Sequence, residues 1–205
     1  MAYDVAGDMR LDPRLKAILA SIPAEPAGDV DSREVLLAEA NSEAARQEAE
    51  QFRSFMELCD SEDAAPSAGL RVHTEKVVSA PDGNSINLQV VRPDDDKVVG
   101  CVYYIHGGGM AALSCYDGMY RGWGKIIAAN GVAVVMVDFR NAVAPSSVPE
   151  VAPFPAGLND CVSGLKWVVA NAGHLAIDPD RVVVAGESGG GNPDARYRPQ
   201  AQAGR

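Results

Sequence analysis

The spacing of apolar residues changes along this chain from a helical period to the shorter period of strands. Near the amino terminus, Asp12-Pro13 has the form of an N-cap followed by proline at the first helical position, and apolar residues recur on one face as far as Ile22. A second amphipathic helix is predicted from Asp31 to about Leu58, with Glu34 placed to complete a capping box. The first third of the chain is therefore predicted to be helical.

Strand patterns begin after residue 67. Residues 72–79 and 85–91 predict a hairpin around the turn at 81–84, and the second strand alternates apolar with polar residues. Later apolar runs do not alternate, which is typical of strands covered on both faces. They predict a strand at 98–105, a helix at 116–130, a strand at 132–137, a helix at 156–172 and a strand at 181–185. This order predicts an α/β fold with a mostly parallel sheet and right-handed crossovers.

The polar segment at 61–67 is the best candidate for a domain boundary. We interpret residues 1–66 as an N-terminal helical arm, used for packing or for oligomerisation. Residues 67–192 form a partial α/β domain. Residues 193–205 have no apolar periodicity and include two prolines, so they are predicted to be a disordered, aberrant tail.

The segment that ends the last predicted strand carries the first candidate chemistry. A β-branched run leads into Gly186-Glu187-Ser188-Gly189-Gly190, which contains the pattern Gly-x-Ser-x-Gly. Such a pattern after a strand is the form of a nucleophile elbow, a sharp turn that holds a serine hydroxyl clear of the sheet. Glycine tolerates the close backbone approach that this turn requires. The pattern alone is weak evidence, because many glycine-rich turns have no catalytic role.

A second motif about eighty residues upstream makes the first more specific. The predicted strand at 98–105 runs directly into His106-Gly107-Gly108-Gly109. A glycine run at the end of a strand can turn several backbone N–H groups towards one point, where they stabilise the oxyanion of an acyl-transfer reaction. We expect His106 to hydrogen-bond the loop backbone and to fix the glycines rather than to act as the catalytic base.

At these motifs the chain resembles the hormone-sensitive-lipase-like (bacterial family IV) carboxylesterases of the α/β-hydrolase family. The resemblance extends over roughly residues 70–192 and includes Asp138-Phe139-Arg140 and Phe154-Pro155-Ala156 as well as the two glycine motifs. It implies the N-terminal part of an α/β-hydrolase fold, through the nucleophile strand, with a helical cap segment before it. It also implies that Ser188 is the nucleophile, that the amides of Gly108, Gly109 and Gly189 form the oxyanion hole, and that no cofactor or metal is needed.

Composition and charge limit the partners. A formal net charge of −10 argues against nucleic acid or an anionic membrane as a partner. No signal sequence opens the chain and no apolar run approaches the length of a membrane span, so a cytoplasmic location is expected. The four cysteines show no C-x-x-C spacing, which favours buried free thiols over disulfides or a metal site. We expect a small-molecule ester as the substrate.

The catalytic triad is the feature that the sequence lacks. In this fold an acid and then a histidine follow the nucleophile, yet His73, His106 and His174 all precede Ser188, and Asp194 is the single acid after it. We therefore expect an inactive chain that is truncated or frame-shifted after Asn192. Without further strands, the 181–185 strand would be an exposed edge, and we expect association or aggregation through it.

Two other functions are alternatives to an ester hydrolase. A non-catalytic small-molecule-binding protein on the same fold would need neither the acid nor the histidine. A phosphate-binding module built on residues 189–191 is disfavoured, because no Lys-Ser or Lys-Thr pair follows the glycines as a P-loop requires. Asp138 and Arg140 carry opposite charges two residues apart, and we expect them to pair and to hold the loop that follows.

Overall fold

The structure, a computed structural model, describes residues 7–20 and 30–191. The predicted tail at 193–205 and the proposed break after Asn192 lie outside these residues. Within them, no helix combines the length and the hydropathy needed to cross a membrane. The chain forms two compact units, Met1–Val35 and Leu36–Arg205. Residues 36–66 therefore fold as one unit with the sheet, while the role of residues 1–66 as a cap stays a prediction.

Helix α1, Pro13–Ala20, confirms the first predicted helix. Asp12 precedes it, and the Arg14 N–H donates to Asp12 Oδ1 at 2.8 Å, as expected of a residue that caps a helix. Proline at the first helical position costs nothing, because the N–H that it lacks would have no partner within the helix. The predicted end of the apolar face at Ile22 lies outside the described residues.

The prediction of one long second helix is wrong. The structure has α2, Arg33–Ala40, followed by α3, Glu43–Met56. The Ser42 side chain accepts from the Ala45 N–H at 3.2 Å and so begins α3 as its own N-cap. The α2 cap also differs from the prediction, because Ser32 Oγ rather than Asp31 accepts from the Val35 N–H, at 3.3 Å. A short 3-10 turn, Glu57–Asp60, follows α3.

The sheet of the second unit has the strand order β1-β2-β4-β3-β5. Strand β2 pairs antiparallel with β1 and β4, whereas β3 pairs parallel with β4 and β5. Four strands therefore run in one direction and β2 opposes them, so the predicted hairpin and mostly parallel sheet are confirmed. The strands are β1, Leu70–Val78; β2, Ser85–Pro93; β3, Val99–Ile105; β4, Ala133–Asp138; and β5, Ile177–Gly186.

Helices cover the two faces of this sheet. Helix α4, Gly118–Ala128, packs on one face, and α5, Ala156–Ala170, packs on the other with the short α6, Ala172–Leu175. Every residue of β4 is buried, and its side chains alternate between the two cores. This explains why the β4 sequence is apolar without alternation. The β4 residues Val134 and Met136 face the α4 side, and Val135 and Val137 face the α5 side.

Strand β5 lies at one edge of the described sheet and pairs there with β3. Its outer position leaves Val183 57% exposed. Unpaired strand edges are templates for pairing with another chain. Association through this edge stays a prediction, as does the cytoplasmic location.

Candidate active site

Ser188 lies in the turn that follows β5 and has a positive φ of 50°. Residues other than glycine and asparagine rarely adopt this conformation, which costs on the order of 1–3 kcal/mol. Where it does occur, it is often at a functional site. The turn is held by two backbone hydrogen bonds, from Glu187 N–H to Ile105 O at 3.3 Å and from Gly190 N–H to Glu187 O at 2.8 Å. The side chain of Ser188 is exposed. The segment thus has the geometry expected of a nucleophile elbow.

Two glycines allow this turn to close. A Cβ on Gly186 would collide with the carbonyl of Gly190, and a Cβ on Gly190 would lie 2.7 Å from His106 O. These contacts are with backbone, which cannot move aside as a flexible side chain can. Both glycines of the motif are therefore required by close packing, as the sequence predicted.

The glycine loop leaves the carboxyl end of β3, next to the serine turn. Gly108 and Gly109 have positive φ values of 90° and 65°. The loop then folds back on itself, because the N–H groups of Ala111 and Ala112 donate to Gly108 O at 3.0 and 3.2 Å. Met110, with a φ of 58°, continues the left-handed backbone.

The serine turn and the glycine loop meet at Gly189 and Gly109. A Cβ on Gly189 would lie 2.6 Å from Gly109 Cα and 2.7 Å from Gly109 N, so the two backbones are in direct contact. Across the described part of the chain, the N–H groups of Gly108, Gly109 and Gly189 donate to no protein acceptor. The structure therefore brings the serine turn into contact with the glycine loop at Gly109, while the role of the three amides as an oxyanion hole stays a prediction.

His106 lies beneath this loop and is fully buried. Its Nδ1 is 2.9 Å from Gly107 O, to which an Nδ1–H donates, and its ring stacks on Phe139 with centroids 4.3 Å apart. Burial lowers the pKa of His106, so the imidazole is neutral near pH 7. The predicted contact of His106 with the loop backbone is thus present.

The other two histidines lie at Glu75 on β1. His73 Nε2 is 3.4 Å and His174 Nε2 is 3.0 Å from Glu75 Oε1. None of the three histidines, all of which are described, hydrogen-bonds Ser188. They do not supply the base that a serine nucleophile needs.

The predicted pairing of Asp138 with Arg140 is wrong. Asp138 is fully buried and accepts hydrogen bonds from Ser114 Oγ at 2.6 Å and from Ser147 N–H at 2.8 Å. Arg140 instead binds Asp160 of α5, with Nε 2.9 Å from Oδ2. Asp138 ends β4 and Arg140 follows it, but they anchor different segments: Asp138 anchors the loop before α4 and the loop after β4, and Arg140 anchors α5.

Sequence reasoning also missed Tyr120. This α4 residue is 2% exposed, and its hydroxyl accepts a hydrogen bond from the Gly107 N–H at 3.1 Å. In the sequence it is one aromatic residue on an apolar helix, and nothing in the local pattern distinguishes it from a core residue. Only the packing of α4 against the end of β3 brings it to the glycine loop.

Two cavities adjoin the motifs. One of about 260 Å³ lies beside the junction of the glycine loop and the serine turn, and its lining includes Gly109, Met110, Phe154 and Gly189. The other, of about 670 Å³, is an apolar groove between α4 and the end of β5, and its lining includes Trp123 and Glu187. The lining of the first cavity includes Gly189, the residue that follows Ser188. Among the described residues, no three acidic, histidine or cysteine side chains are grouped as a metal site would require.

Comparison with known proteins identifies the fold. A family model described as the alpha/beta hydrolase fold matches residues 102–196. The structure superposes on esterase Est22 with a TM-score of 0.87 at 54% identity, covering 98% of this chain and 60% of that one, and the S188A mutant of Est22 matches comparably. Brefeldin A esterase, described as a bacterial homologue of human hormone-sensitive lipase, gives a TM-score of 0.73 at 30% identity over 98% of this chain and 55% of that one.

Two relatives found by sequence are also named as ester hydrolases. Carboxylesterase NlhH of Mycobacterium tuberculosis is 42% identical over 96 residues, which are 46% of this chain and 27% of that protein. Ethyl acetate hydrolase of Pseudomonas putida is 30% identical over 190 residues, which are 90% of this chain and 53% of that protein. The chain thus spans between about a quarter and three fifths of the length of these relatives.

The sheet order, the serine turn and the matching family model together define an α/β-hydrolase. Within that class, the chain is similar to esterases, among them Est22, brefeldin A esterase and carboxylesterase NlhH.

Proposed function

We propose that this chain carries the nucleophile and the oxyanion hole of a carboxylic-ester hydrolase. The observation that supports this most is the contact between the Ser188 turn and the glycine loop, which brings a serine with a positive φ to N–H groups that have no acceptor among the described residues. Backbone N–H groups near a strained nucleophile are what acyl transfer requires, because charge develops on the carbonyl oxygen in the transition state.

In the proposed mechanism, Ser188 Oγ attacks the ester carbonyl carbon while a base removes the hydroxyl proton. The carbonyl oxygen becomes an oxyanion and accepts hydrogen bonds from the amides of Gly108, Gly109 and Gly189. The intermediate then collapses, and the alcohol leaves with the proton. Water attacks the acyl-enzyme in the same way, and this second step releases the acid and regenerates Ser188.

The remaining residues of the two motifs support the backbone. His106 holds Gly107 O, and Gly186 and Gly190 allow the serine turn to close. A Cβ on Gly107 would lie 2.7 Å from Glu187 Oε1, so the lack of a side chain at Gly107 leaves room for the Glu187 side chain. These five residues affect the reaction by holding the glycine loop and the serine turn in position.

This chain on its own is proposed to turn over esters poorly. Its three histidines are held at Gly107 and at Glu75, so none is in place to take the proton of Ser188. Loss of the base removes most of the rate enhancement of a serine hydrolase, but the oxyanion hole alone retains on the order of 10³–10⁴-fold catalysis over water.

Imidazole in solution can stand in for the missing base, and this gives a direct test. The 205-residue chain is incubated with p-nitrophenyl acetate over a range of imidazole concentrations, and the acetylated residue is located by peptide mass spectrometry. We expect acetylation of Ser188 that rises with imidazole. Ser188→Ala is the control for the reaction of imidazole itself with the ester. A folded chain whose Ser188 is not acetylated at any imidazole concentration would contradict the proposal.

The alternative function is non-catalytic binding of a small molecule on the same fold. The positions of the three histidines favour it, because a binding protein needs no base. It predicts that the ester quenches tryptophan fluorescence in a saturable way while Ser188 stays unmodified. Acetylation that depends on Ser188 would exclude a purely binding role.

A further inference from the structure

The Gly107 residue is held from both sides by side chains. Its N–H donates to Tyr120 Oη at 3.1 Å, and its carbonyl oxygen lies 2.9 Å from His106 Nδ1. These two bonds fix two successive peptide planes, the one between residues 106 and 107 and the one between residues 107 and 108. The start of the glycine loop therefore has little freedom to rotate.

The polar groups of each peptide plane are directed at other parts of the site. Both peptide bonds are trans, so the N–H and C=O of each plane point in opposite directions. The His106 contact turns Gly107 O towards the imidazole and hence the Gly108 N–H away from it. The Tyr120 contact turns the Gly107 N–H towards α4 and hence His106 O towards the serine turn, where it lies 2.7 Å from a Cβ placed on Gly190.

Glu187 of the serine turn lies beside the same hydroxyl. Glu187 Oε1 and Tyr120 Oη lie 2.7 and 3.0 Å from the point where a Cβ on Gly107 would be. Because the Gly107 N–H donates to Oη, the phenolic proton is free for another acceptor, and the Glu187 carboxylate is the neighbouring one. Burial, together with this carboxylate, raises the pKa of Tyr120, so the phenol keeps its proton.

The Tyr120 ring is itself fixed in place. It contacts the His106 and Tyr104 rings, with centroids 5.5 and 6.4 Å away, and α4 is seated closely against the 57–60 turn. A Cβ on Gly118 at the start of α4 would lie 2.6 Å from Glu57 Cα. A hydroxyl on so rigid a support can define the position of a loop to within a fraction of an ångström.

We propose that Tyr120 is a positioning residue, whose hydroxyl sets the glycine loop against the serine turn by holding the Gly107 N–H beside Glu187. The inference rests on the proposed function, since the loop supplies the Gly108 and Gly109 amides. Tyr120 acts through the peptide plane between residues 106 and 107.

The test compares Tyr120→Phe with Tyr104→Phe in the full 205-residue chain. The first substitution removes the hydroxyl at Gly107 and keeps the ring. The second removes a hydroxyl that makes no hydrogen bond in the part of the chain that is described, from the adjacent ring. Two readouts are used: hydrogen exchange of the Gly107 amide by NMR, and the rate of Ser188 acetylation in imidazole at several ester concentrations.

We expect Tyr120→Phe to speed Gly107 exchange about 10-fold, the effect of losing one buried hydrogen bond. The maximal acetylation rate should fall about 10-fold, and the ester concentration at half the maximal rate should stay unchanged, because a displaced loop impairs the transition state more than binding. Tyr104→Phe should change neither. If Tyr120→Phe fails to fold, Glu187→Ala replaces it, and faster Gly107 exchange is expected there as well.

The outcomes separate this inference from the proposed function. Absence of acetylation in the unsubstituted chain would overturn the ester hydrolase and the positioning role together. Acetylation of the unsubstituted chain with an unchanged rate or unchanged Gly107 exchange in Tyr120→Phe would overturn the role of Tyr120 alone. Equal losses in Tyr120→Phe and Tyr104→Phe would also overturn it, because they would indicate general packing.

Discussion

Asp160 is the buried carboxylate whose loss we expect to be most costly. It is fully buried in α5 and accepts three hydrogen bonds from Arg140: from the backbone N–H at 3.0 Å, from Nε at 2.9 Å and from Nη2 at 3.0 Å. Arg140 is also buried, with 3% of its side chain exposed. A buried charge that loses its partner is strongly destabilising, because the remaining charge keeps its desolvation cost.

The perturbation is Asp160→Asn, which keeps the shape but removes the charge and sets an amide N–H against the guanidinium. Breaking a buried ion pair costs about 3–5 kcal/mol. Arg140 keeps Asp82 at 2.8 Å and Glu150 at 3.0 Å, so we expect the lower end, about 3 kcal/mol. Asp82 is 46% exposed, and Asp82→Asn should cost below about 1 kcal/mol.

The assay is urea unfolding followed by tryptophan fluorescence, since Trp167 lies on α5 with Asp160. A double-mutant cycle with Arg140→Met isolates the pair, and we expect a coupling energy of about 2 kcal/mol. Asp138→Asn in the same cycle should show almost no coupling to Arg140, because Asp138 binds other groups. A coupling below about 0.5 kcal/mol for Asp160, or equal coupling for both carboxylates, would refute the reasoning.

Three further predictions follow from the site and the core. Ser188→Gly should abolish acetylation yet raise the free energy of unfolding by about 0.5–1 kcal/mol, because glycine relieves the positive φ; an unchanged urea midpoint would contradict this. Gly189→Ala should cost about 1–3 kcal/mol and slow acetylation, since its methyl group would lie 2.6 Å from Gly109 Cα; urea unfolding and peptide mass spectrometry measure both effects. Burial raises the pKa of Cys101 and of Tyr104 to about 12, so the folded state keeps both protons where the unfolded chain loses them, and stability measured in urea should fall as the pH rises from about 9 to 12.

Local sequence was enough to find the parts of the site that are local. The Ser188 turn and the Gly107–Gly109 loop each follow a strand, and each needs glycine for reasons confined to a few residues. The close approach of the two motifs results from their places at the carboxyl ends of the paired parallel strands β3 and β5, and the local patterns do not predict that pairing.

The predictions that were wrong concern contacts that the local sequence does not determine. Asp138 and Arg140 looked like a pair because they are two residues apart, but α5 brings Asp160 to Arg140, and residues 114 and 147 satisfy Asp138. The break between α2 and α3 was missed because the Ala- and Glu-rich composition favours helix on both sides of Ser42. Capping by one serine side chain decided the boundary there.

The candidate site is made mostly of backbone, and this determines how it responds to change. Gly189 contacts Gly109, and Gly190 contacts the carbonyls of Ile105 and His106, so the serine turn is seated on the end of β3 through main-chain atoms. A side-chain contact can relax by changing a rotamer, whereas a main-chain contact moves both strands that carry it. Added methyl groups at these glycines should therefore disturb the proposed oxyanion hole more than the loss of a side chain from its rim. Tyr120 and His106 are exceptions, because each side chain hydrogen-bonds the main chain of Gly107 directly.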